Sequence, residues 1–141
     1  MSEFRDTTRE KIRGAGLRCT PGRIAVYEAL MRAKQPLTHS ELVDQMAAAG
    51  PDQATIYRNL VDLAEAGLLR RSDLGDHTWR FEVARADEPE TGHPHFVCTE
   101  CGDIQCLPVI ELNIPRSRTM PRSLRKKDVA LHIRGLCDNC L

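Results

Sequence analysis

The sequence predicts an α+β protein in which an N-terminal winged helix-turn-helix precedes a small, strand-like segment rich in cysteine. Three observations support this fold class. Apolar residues recur at helical spacing through the first half, two alternating strand-like runs follow, and the last third holds two Cys-x-x-Cys pairs. We therefore divide the chain into a winged-helix domain over residues 1–83, a hinge linker over 84–92 and a metal-binding domain over 93–141.

The first domain begins with four predicted helices, over residues 5–14, 21–33, 38–48 and 52–66. Thr20 followed by Pro21 gives an N-cap with proline at the first helical position. Thr38 and Glu41 form a capping box that opens the third helix. Gly67 stands where the fourth helix needs a residue that accepts a left-handed conformation. These start and stop signals predict a helical bundle that ends near residue 67.

A β-hairpin follows the helices. Residues 68–72 and 78–83 look like strands, and residues 73–76, with the sequence DLGD, have the composition of a turn. Helices followed by a hairpin are typical of a winged helix, in which the 52–66 helix would enter the major groove of DNA. The same pattern also occurs in proteins that bind no DNA.

Composition limits the remaining classes. The 141 residues carry 20 Lys and Arg against 20 Asp and Glu, so overall charge does not indicate a nucleic-acid partner, although residues 1–34 and 116–127 are locally basic. The chain opens on charged residues, and no apolar run approaches eighteen residues. We expect a soluble cytoplasmic protein without signal peptide or membrane span. Six cysteines in such a protein indicate metal ligands or free thiols rather than disulfides.

The two Cys-x-x-Cys pairs are the strongest chemical signal. Cys98 with Cys101 and Cys137 with Cys140 can each hold one side of a zinc ion, and together they complete a tetrahedral site with four thiolate ligands. This predicts a structural zinc that ties the end of the last domain to its beginning. The competing interpretation is a thiol–disulfide redox pair, which needs a thioredoxin-like βαβ context that the sequence lacks.

A second group of metal-binding side chains precedes and follows the first cysteine pair. His93 and His95 are two residues apart, so they share one face of an extended strand. They cannot join a zinc ion that already has four ligands, but they can form half of another site. Glu82 at the end of the hairpin and Cys106 are available as partners. Taken singly, each of these residues has an ordinary alternative as a surface or core residue.

The ordered motifs GLRCTPGR, ATIYRNLVDLAEAGLL, RFE, HPHFVCTECG and GLCDNC resemble the ferric uptake regulator family of bacterial metal-responsive repressors. The resemblance covers residues 12–141. It implies a winged helix, a small α/β dimerisation domain, and a homodimer that binds palindromic double-stranded DNA operators when a regulatory metal is present. It also implies that the chain is not an enzyme.

The resemblance assigns site residues by position. Tyr57 and Arg58, with Thr55 nearby, match the DNA-facing motif, and Arg13 or Arg18 matches a basic residue that reaches the minor groove. The resemblance also implies four ligands for the regulatory metal, which are Glu82, His93, His95 and Cys106.

Three departures from the family pattern affect the function. Cys106 replaces a carboxylate ligand, which favours zinc over iron as the regulatory metal. Pro36 stands where iron- and peroxide-sensing members have histidine, and His39 lies three residues further on. Pro115 and Pro121 interrupt a segment that forms a long helix in the family, so no accessory metal site is expected there.

The sequence therefore predicts a metal-dependent transcription repressor that controls metal homeostasis and most readily responds to zinc. An iron- or peroxide-responsive regulator is the alternative within the family. Two alternatives come from other classes: a metalloenzyme built on the His-His-Glu-Cys group, and a redox-switched zinc–thiol protein built on the Cys-x-x-Cys pairs.

Overall fold

A computed structural model describes residues 2–48, 50–85, 94–108, 110–111, 113–115, 117–125 and 131–141. The chain divides into two compact units, an N-terminal unit over Met1–Gly92 and a C-terminal unit over His93–Leu141. The predicted hinge falls largely outside the described residues, as does His93.

In the part of the N-terminal unit that the structure describes, there are four helices and three strands. Their order is α1 (Ser2–Gly14), α2 (Pro21–Arg32), β1 (Leu37–Thr38), α3 (His39–Met46), α4 (Gln53–Glu65), β2 (Leu69–Asp73) and β3 (Trp79–Val83). Each of the last three helices starts at a side-chain cap. The residues Thr20, Thr38 and Asp52 accept hydrogen bonds from backbone amides three positions ahead, at 3.2, 3.1 and 3.2 Å. Gly67 follows α4 with φ +81°, as the sequence predicts.

The hairpin carries a third strand that the sequence analysis missed. The sheet order is β1-β3-β2, and both pairings are antiparallel, with Leu37 opposite Phe81 and Leu69 opposite Val83. β1 contains only two residues, which is too short to show a strand periodicity. β1 directly precedes α3 and pairs with β3, so it connects the start of α3 to the β2–β3 hairpin. We call this hairpin the wing.

One hydrophobic core holds the N-terminal unit together. Its buried residues come from every helix and strand of the unit, and they are Ile12, Val26, Tyr27, Leu30, Leu37, Leu42, Ile56, Leu60, Leu63, Leu69 and Phe81. Burial of a large aliphatic or aromatic side chain contributes about 1.5–3 kcal/mol. The inner face of α4 is thus fixed by Ile56, Leu60 and Leu63, and its opposite face is left to solvent.

Among its described residues, the C-terminal unit has a three-stranded sheet and one short helix. Its elements are β4 (His95–Cys98), β5 (Ile104–Cys106), α5 (Arg122–Arg125) and β6 (Ile133–Gly135). The order is β5-β4-β6, with β5 antiparallel and β6 parallel to the central strand. In the described parts of 113–125 the chain is helical only at α5, directly after Pro121, as expected from the two prolines.

Among the residues that the structure describes, no helix has the length and apolar character needed to cross a membrane.

Candidate functional site

The four cysteines of the two Cys-x-x-Cys pairs meet in the C-terminal unit. Cys98 is the last residue of β4, Cys101 lies in the turn after it, and Cys137 and Cys140 follow β6. Their four Sγ atoms all lie within 4.8 Å of one another. The parallel register, which sets Cys98 opposite Gly135, brings the distant pairs together.

The spacing of the sulfur atoms fits a zinc ion. A tetrahedral site with Zn–S bonds of about 2.3 Å requires sulfur atoms roughly 3.8 Å apart. The Sγ atoms of Cys101 and Cys137 are 3.7 Å apart. A disulfide would need about 2.05 Å, and all four cysteines are free thiols. The cluster therefore has the geometry of a closed, structural Cys₄ zinc site.

The backbone around the cluster favours thiolate ligands. Gly102, at φ +76°, completes a tight turn after Cys101, and the amide of Cys137 donates to the Sγ of Cys98 at 3.4 Å. Backbone amides of Cys101 and then Cys137 lower the pKa of Cys98 to about 6. Hydrogen bonds with the thiols of Cys137 and Cys101 raise the pKa of Cys140 to about 12. The four thiols cannot all lose their protons without a cation, so zinc binding would release protons.

Of the predicted regulatory ligands, His95 and Cys106 lie in the C-terminal unit and Glu82 lies in the N-terminal unit. In the C-terminal unit, His95 lies directly opposite Cys106 in the β4–β5 pairing, so both side chains stand on the same face of the sheet. His95 is buried and Cys106 is exposed. Glu82 lies on β3 of the N-terminal unit, opposite Arg70. An imidazole and a thiol are both ligand types that zinc accepts.

The outer face of α4 presents the predicted DNA-contacting residues. Tyr57 is 54% exposed and Arg58 is exposed, whereas Thr55 is half-buried at the start of the helix. Hydrogen bonds from the side chain and amide of Thr55 lower the pKa of Asp52, which keeps this N-cap carboxylate charged. An exposed tyrosine beside an arginine suits contacts with thymine methyl groups and phosphates.

Arg13 and Arg18 are also exposed, in the last turn of α1 and in the loop after it. The sequence analysis missed the residue that holds this loop. Arg23 of α2 donates through Nη1 to the carbonyl of Arg18 at 2.9 Å, and its Nη2 forms a salt bridge with Oδ2 of Asp62 at 2.7 Å. Arg23 therefore ties the loop that carries Arg18 to α4. Its position one turn into a helix gave no local signal of this role.

His39 is engaged within the N-terminal unit. Its Nε2 donates to the carbonyl of Gln53 at 2.9 Å, and its ring meets the Tyr57 ring edge-on, with centroids 5.5 Å apart. Sequence analysis placed His39 near a family metal ligand but could not show this contact, which joins the first residue of α3 to α4.

The family model described as the ferric uptake regulator family matches residues 14–133. The Ferric uptake regulation protein of Legionella pneumophila is 31% identical over 137 residues, which cover 93% of this chain and 96% of that protein. The Peroxide operon regulator of Bacillus subtilis is 31% identical over 97 residues, 67% of this chain and 63% of its own length.

Solved structures show the same fold. The ferric uptake regulator of Vibrio cholerae superimposes with a TM-score of 0.66 at 22% identity and covers 92% of this chain and 98% of its own. A zinc uptake regulator complexed with zinc and DNA gives 0.59 at 19% identity, over 99% of this chain and 93% of its own. With a winged-helix unit, a small sheet domain and a Cys₄ cluster in place, the chain belongs to the ferric uptake regulator family of metal-responsive, DNA-binding transcription regulators.

Proposed function

We propose that the protein is a zinc-responsive repressor that acts as a homodimer on two-fold symmetric DNA operators in the cytoplasm. The observation that carries the choice of metal is the pairing of His95 with Cys106 across β4 and β5. Nitrogen and thiolate ligands favour zinc, whereas carboxylates favour harder cations. A two-fold protein matches an operator with two half-sites.

The proposal uses two metal sites with different tasks. Cys98, Cys101, Cys137 and Cys140 hold the structural zinc. Glu82, His93, His95 and Cys106 hold the regulatory ion. Residues assigned to DNA contact are Arg13, Arg18, Thr55, Tyr57 and Arg58. The exposure of Tyr57 and Arg58 on α4 supports their part of this assignment.

Regulation would act through the hinge over residues 84–92. Glu82 precedes this segment and the other three ligands follow it, so engagement of all four with one ion restricts the conformations of the hinge. The dimer then presents both α4 helices at operator spacing more often, and its DNA affinity rises. A coupling of about 1–3 kcal/mol, or roughly 5- to 150-fold in affinity, is typical of such linkage.

Elemental analysis per protomer, before and after a mild chelator, tests the two sites directly. We expect two equivalents of zinc to fall to one, because the closed Cys₄ site exchanges slowly and the sensor site exchanges readily. One equivalent that never changes after loading with zinc or ferrous iron would leave only the structural site.

Three variants separate the sites. Glu82→Ala and His95→Ala should keep one zinc and lose metal-dependent operator binding. As a control, His132→Ala removes an exposed histidine from the C-terminal unit, which also contains His95, and should behave as the wild type. If Glu82→Ala and His95→Ala both respond fully to metal, the proposed regulatory ligands are wrong.

An iron-responsive regulator is the second candidate, because a curated relative at 31% identity is a ferric uptake regulation protein. Cys106→Asp distinguishes the two. It restores the carboxylate of the family pattern, so the concentration of ferrous iron needed for operator binding under anaerobic conditions should fall and that of zinc should rise. A wild type that already prefers ferrous iron would support the second candidate.

A further inference from the structure

One cysteine of this chain is exposed and lies outside the Cys₄ cluster. All six cysteines belong to the described residues, and four of them form the cluster. Cys101 is exposed as well, but its Sγ lies 3.7 Å from that of Cys137 inside the cluster. Cys19 is half-buried, and its Sγ donates to the carbonyl of Arg9 at 3.3 Å. Cys106 is therefore the exposed thiol that can react without disturbing the structural zinc site.

The backbone holds Cys106 at a fixed position on the sheet. Cys106 is the last residue of β5, an outer strand of the β5-β4-β6 sheet, and it lies opposite His95 of the central strand. The next amide, that of Leu107, donates to the carbonyl of Pro94 at 2.9 Å and extends the pairing beyond Cys106. The exposed thiol thus keeps a constant place relative to His95.

The neighbour of this thiol across the strands is a buried imidazole. His95 is 8% exposed, and one of its ring nitrogens lies within 4.8 Å of the Sγ of Cys106. A zinc ion with a Zn–S bond of about 2.3 Å and a Zn–N bond of about 2.0–2.1 Å can bind both atoms at this separation. Such an ion engages the electron pair with which the sulfur attacks an oxidant. Coordination and oxidation therefore compete for one sulfur atom.

The chemistry of an exposed thiol defines the reactant as a peroxide. The cysteine thiolate attacks the O–O bond, so that an S–O bond forms, the O–O bond breaks, and the leaving oxygen takes up a proton to give water or an alcohol. The sulfur loses two electrons to the peroxide and becomes a sulfenic acid. Because thiolate is the form that binds metal, the oxidised sulfur is a poor zinc ligand. A dithiol returns the thiol and forms water and its own disulfide.

We propose that Cys106 is a site of reversible oxidation by peroxides and that zinc in the regulatory site protects it. The inference rests on the proposed function, in which His95 and Cys106 are ligands of the regulatory ion. Zinc deficiency leaves the thiol open to oxidation, and the sulfenic acid then prevents zinc from returning until the sulfur is reduced. Peroxide thus prolongs the DNA-free state of the regulator after zinc has been scarce.

The first test compares two forms of the full-length protein, one that keeps only its structural zinc after mild chelation and one loaded with a second equivalent. Both are treated with hydrogen peroxide in the presence of a 1,3-dicarbonyl probe that traps sulfenic acids, and peptide mass spectrometry locates the label. We expect the label on Cys106 of the chelated form and the loss of most of this label in the zinc-loaded form. Cys106→Ser should remove it.

Zinc content supplies a second readout. Chelated protein treated with peroxide alone should hold only its structural zinc after zinc is added back, and it should regain the second equivalent after reduction by dithiothreitol. Cys19→Ser is the matched control, because it removes the other cysteine that lies outside the cluster. This variant should give the same label on Cys106 and the same reversible loss of zinc as the wild type.

The two proposals fail in different ways. If the wild type never binds a second equivalent of zinc, the ligand assignment in the proposed function fails, and the protection of Cys106 fails with it. If the wild type binds two equivalents, only the oxidation proposal is overturned when Cys106 stays unlabelled, is labelled equally in both forms, or still allows the second equivalent to bind after peroxide. Release of the structural zinc before Cys106 is labelled also overturns it, since peroxide would then attack the Cys₄ cluster first.

Discussion

The two units of this protein are stabilised by different means. The N-terminal unit buries eleven hydrophobic residues in one core. Among the described residues of the C-terminal unit, the buried set contains Ile104 beside two cysteines, Cys98 and Cys137, and His95. A segment of about fifty residues with so few buried apolar side chains needs a metal or a partner to stay folded. We therefore expect the C-terminal unit to depend on its Cys₄ cluster for stability, whereas the N-terminal unit has a hydrophobic core of its own.

The largest expected effect is that removal of the structural zinc unfolds the C-terminal unit and leaves the N-terminal unit folded. With Cys98→Ser, or with zinc stripped by a strong chelator under reducing conditions, we expect β4, β5 and β6 to lose their structure. Structural zinc sites contribute about 10–16 kcal/mol of apparent binding free energy in small domains. Amide hydrogen exchange on the full chain checks this: protection should vanish in these strands and remain in α2 and α4. Protection that persists in β4 and β6 of a zinc-free sample would contradict it.

A core substitution should produce the opposite pattern. Leu60 is fully buried on α4, so Leu60→Ala should lower the free energy of unfolding of the N-terminal unit by about 2–5 kcal/mol. Zinc content should stay at the wild-type level, because the Cys₄ ligands lie in the other unit. Urea unfolding followed by circular dichroism, with elemental analysis, measures both. Glu65→Ala changes an exposed residue of the same helix and should alter stability by less than about 0.5 kcal/mol.

A smaller expected effect concerns His39 of the N-terminal unit and His95 of the C-terminal unit, whose substitutions should affect operator binding for different reasons. His39 contacts Tyr57, so His39→Ala should weaken operator binding a few-fold and leave metal content unchanged, unlike His95→Ala. A double-mutant cycle with Tyr57→Ala should give a coupling free energy of about 0.5–1.5 kcal/mol. If the two losses simply add, His39 does not act through the tyrosine ring.

The smallest expected effect is the pH dependence of the stability that one ion pair in the wing contributes. Arg80 forms a salt bridge with Asp76 at 2.7 Å, and its hydrogen bond lowers the pKa of Asp76 from 3.8. Because the pKa of Asp76 is lower in the folded protein than in the unfolded chain, the ion pair stabilises the fold at pH values above the pKa of the unfolded chain. This stabilisation is lost as the pH falls through the pKa of Asp76 in the folded protein. The Asp76 side chain is 41% exposed, so Asp76→Asn should cost less than about 1 kcal/mol near neutral pH.

Urea unfolding of the wild type and Asp76→Asn at a series of pH values measures this difference. It should shrink below about pH 4, where the carboxylate of the unfolded chain is protonated. A difference that stays constant as the pH falls further below that value would show that the ion pair does not contribute.

Features with a local cause could be predicted from the sequence. The helix starts at Thr20 and Thr38 were found because an N-cap requires only a side chain and an amide three residues away. The Cys₄ site was found because a Cys-x-x-Cys pair binds metal in one local geometry.

Features that depend on tertiary packing were missed. The contacts of His39 with Tyr57 and of Arg71 with Trp79 join residues that lie apart in the sequence, so no periodicity indicates them. Arg23 bridges 39 positions to Asp62 for the same reason. The two-residue strand β1 is formed by pairing with β3 and has no pattern of its own.

The parallel pairing of β4 with β6 sets an order of events during protein synthesis. The N-terminal unit has all of its core residues once Val83 has left the ribosome. β4 must wait for β6 and Cys140, and synthesis of the chain from Val83 to Cys140 takes roughly 3–11 s at typical elongation rates. Until then the C-terminal unit lacks β6 and half of its Cys₄ cluster, so zinc could bind the complete cluster only near the end of synthesis.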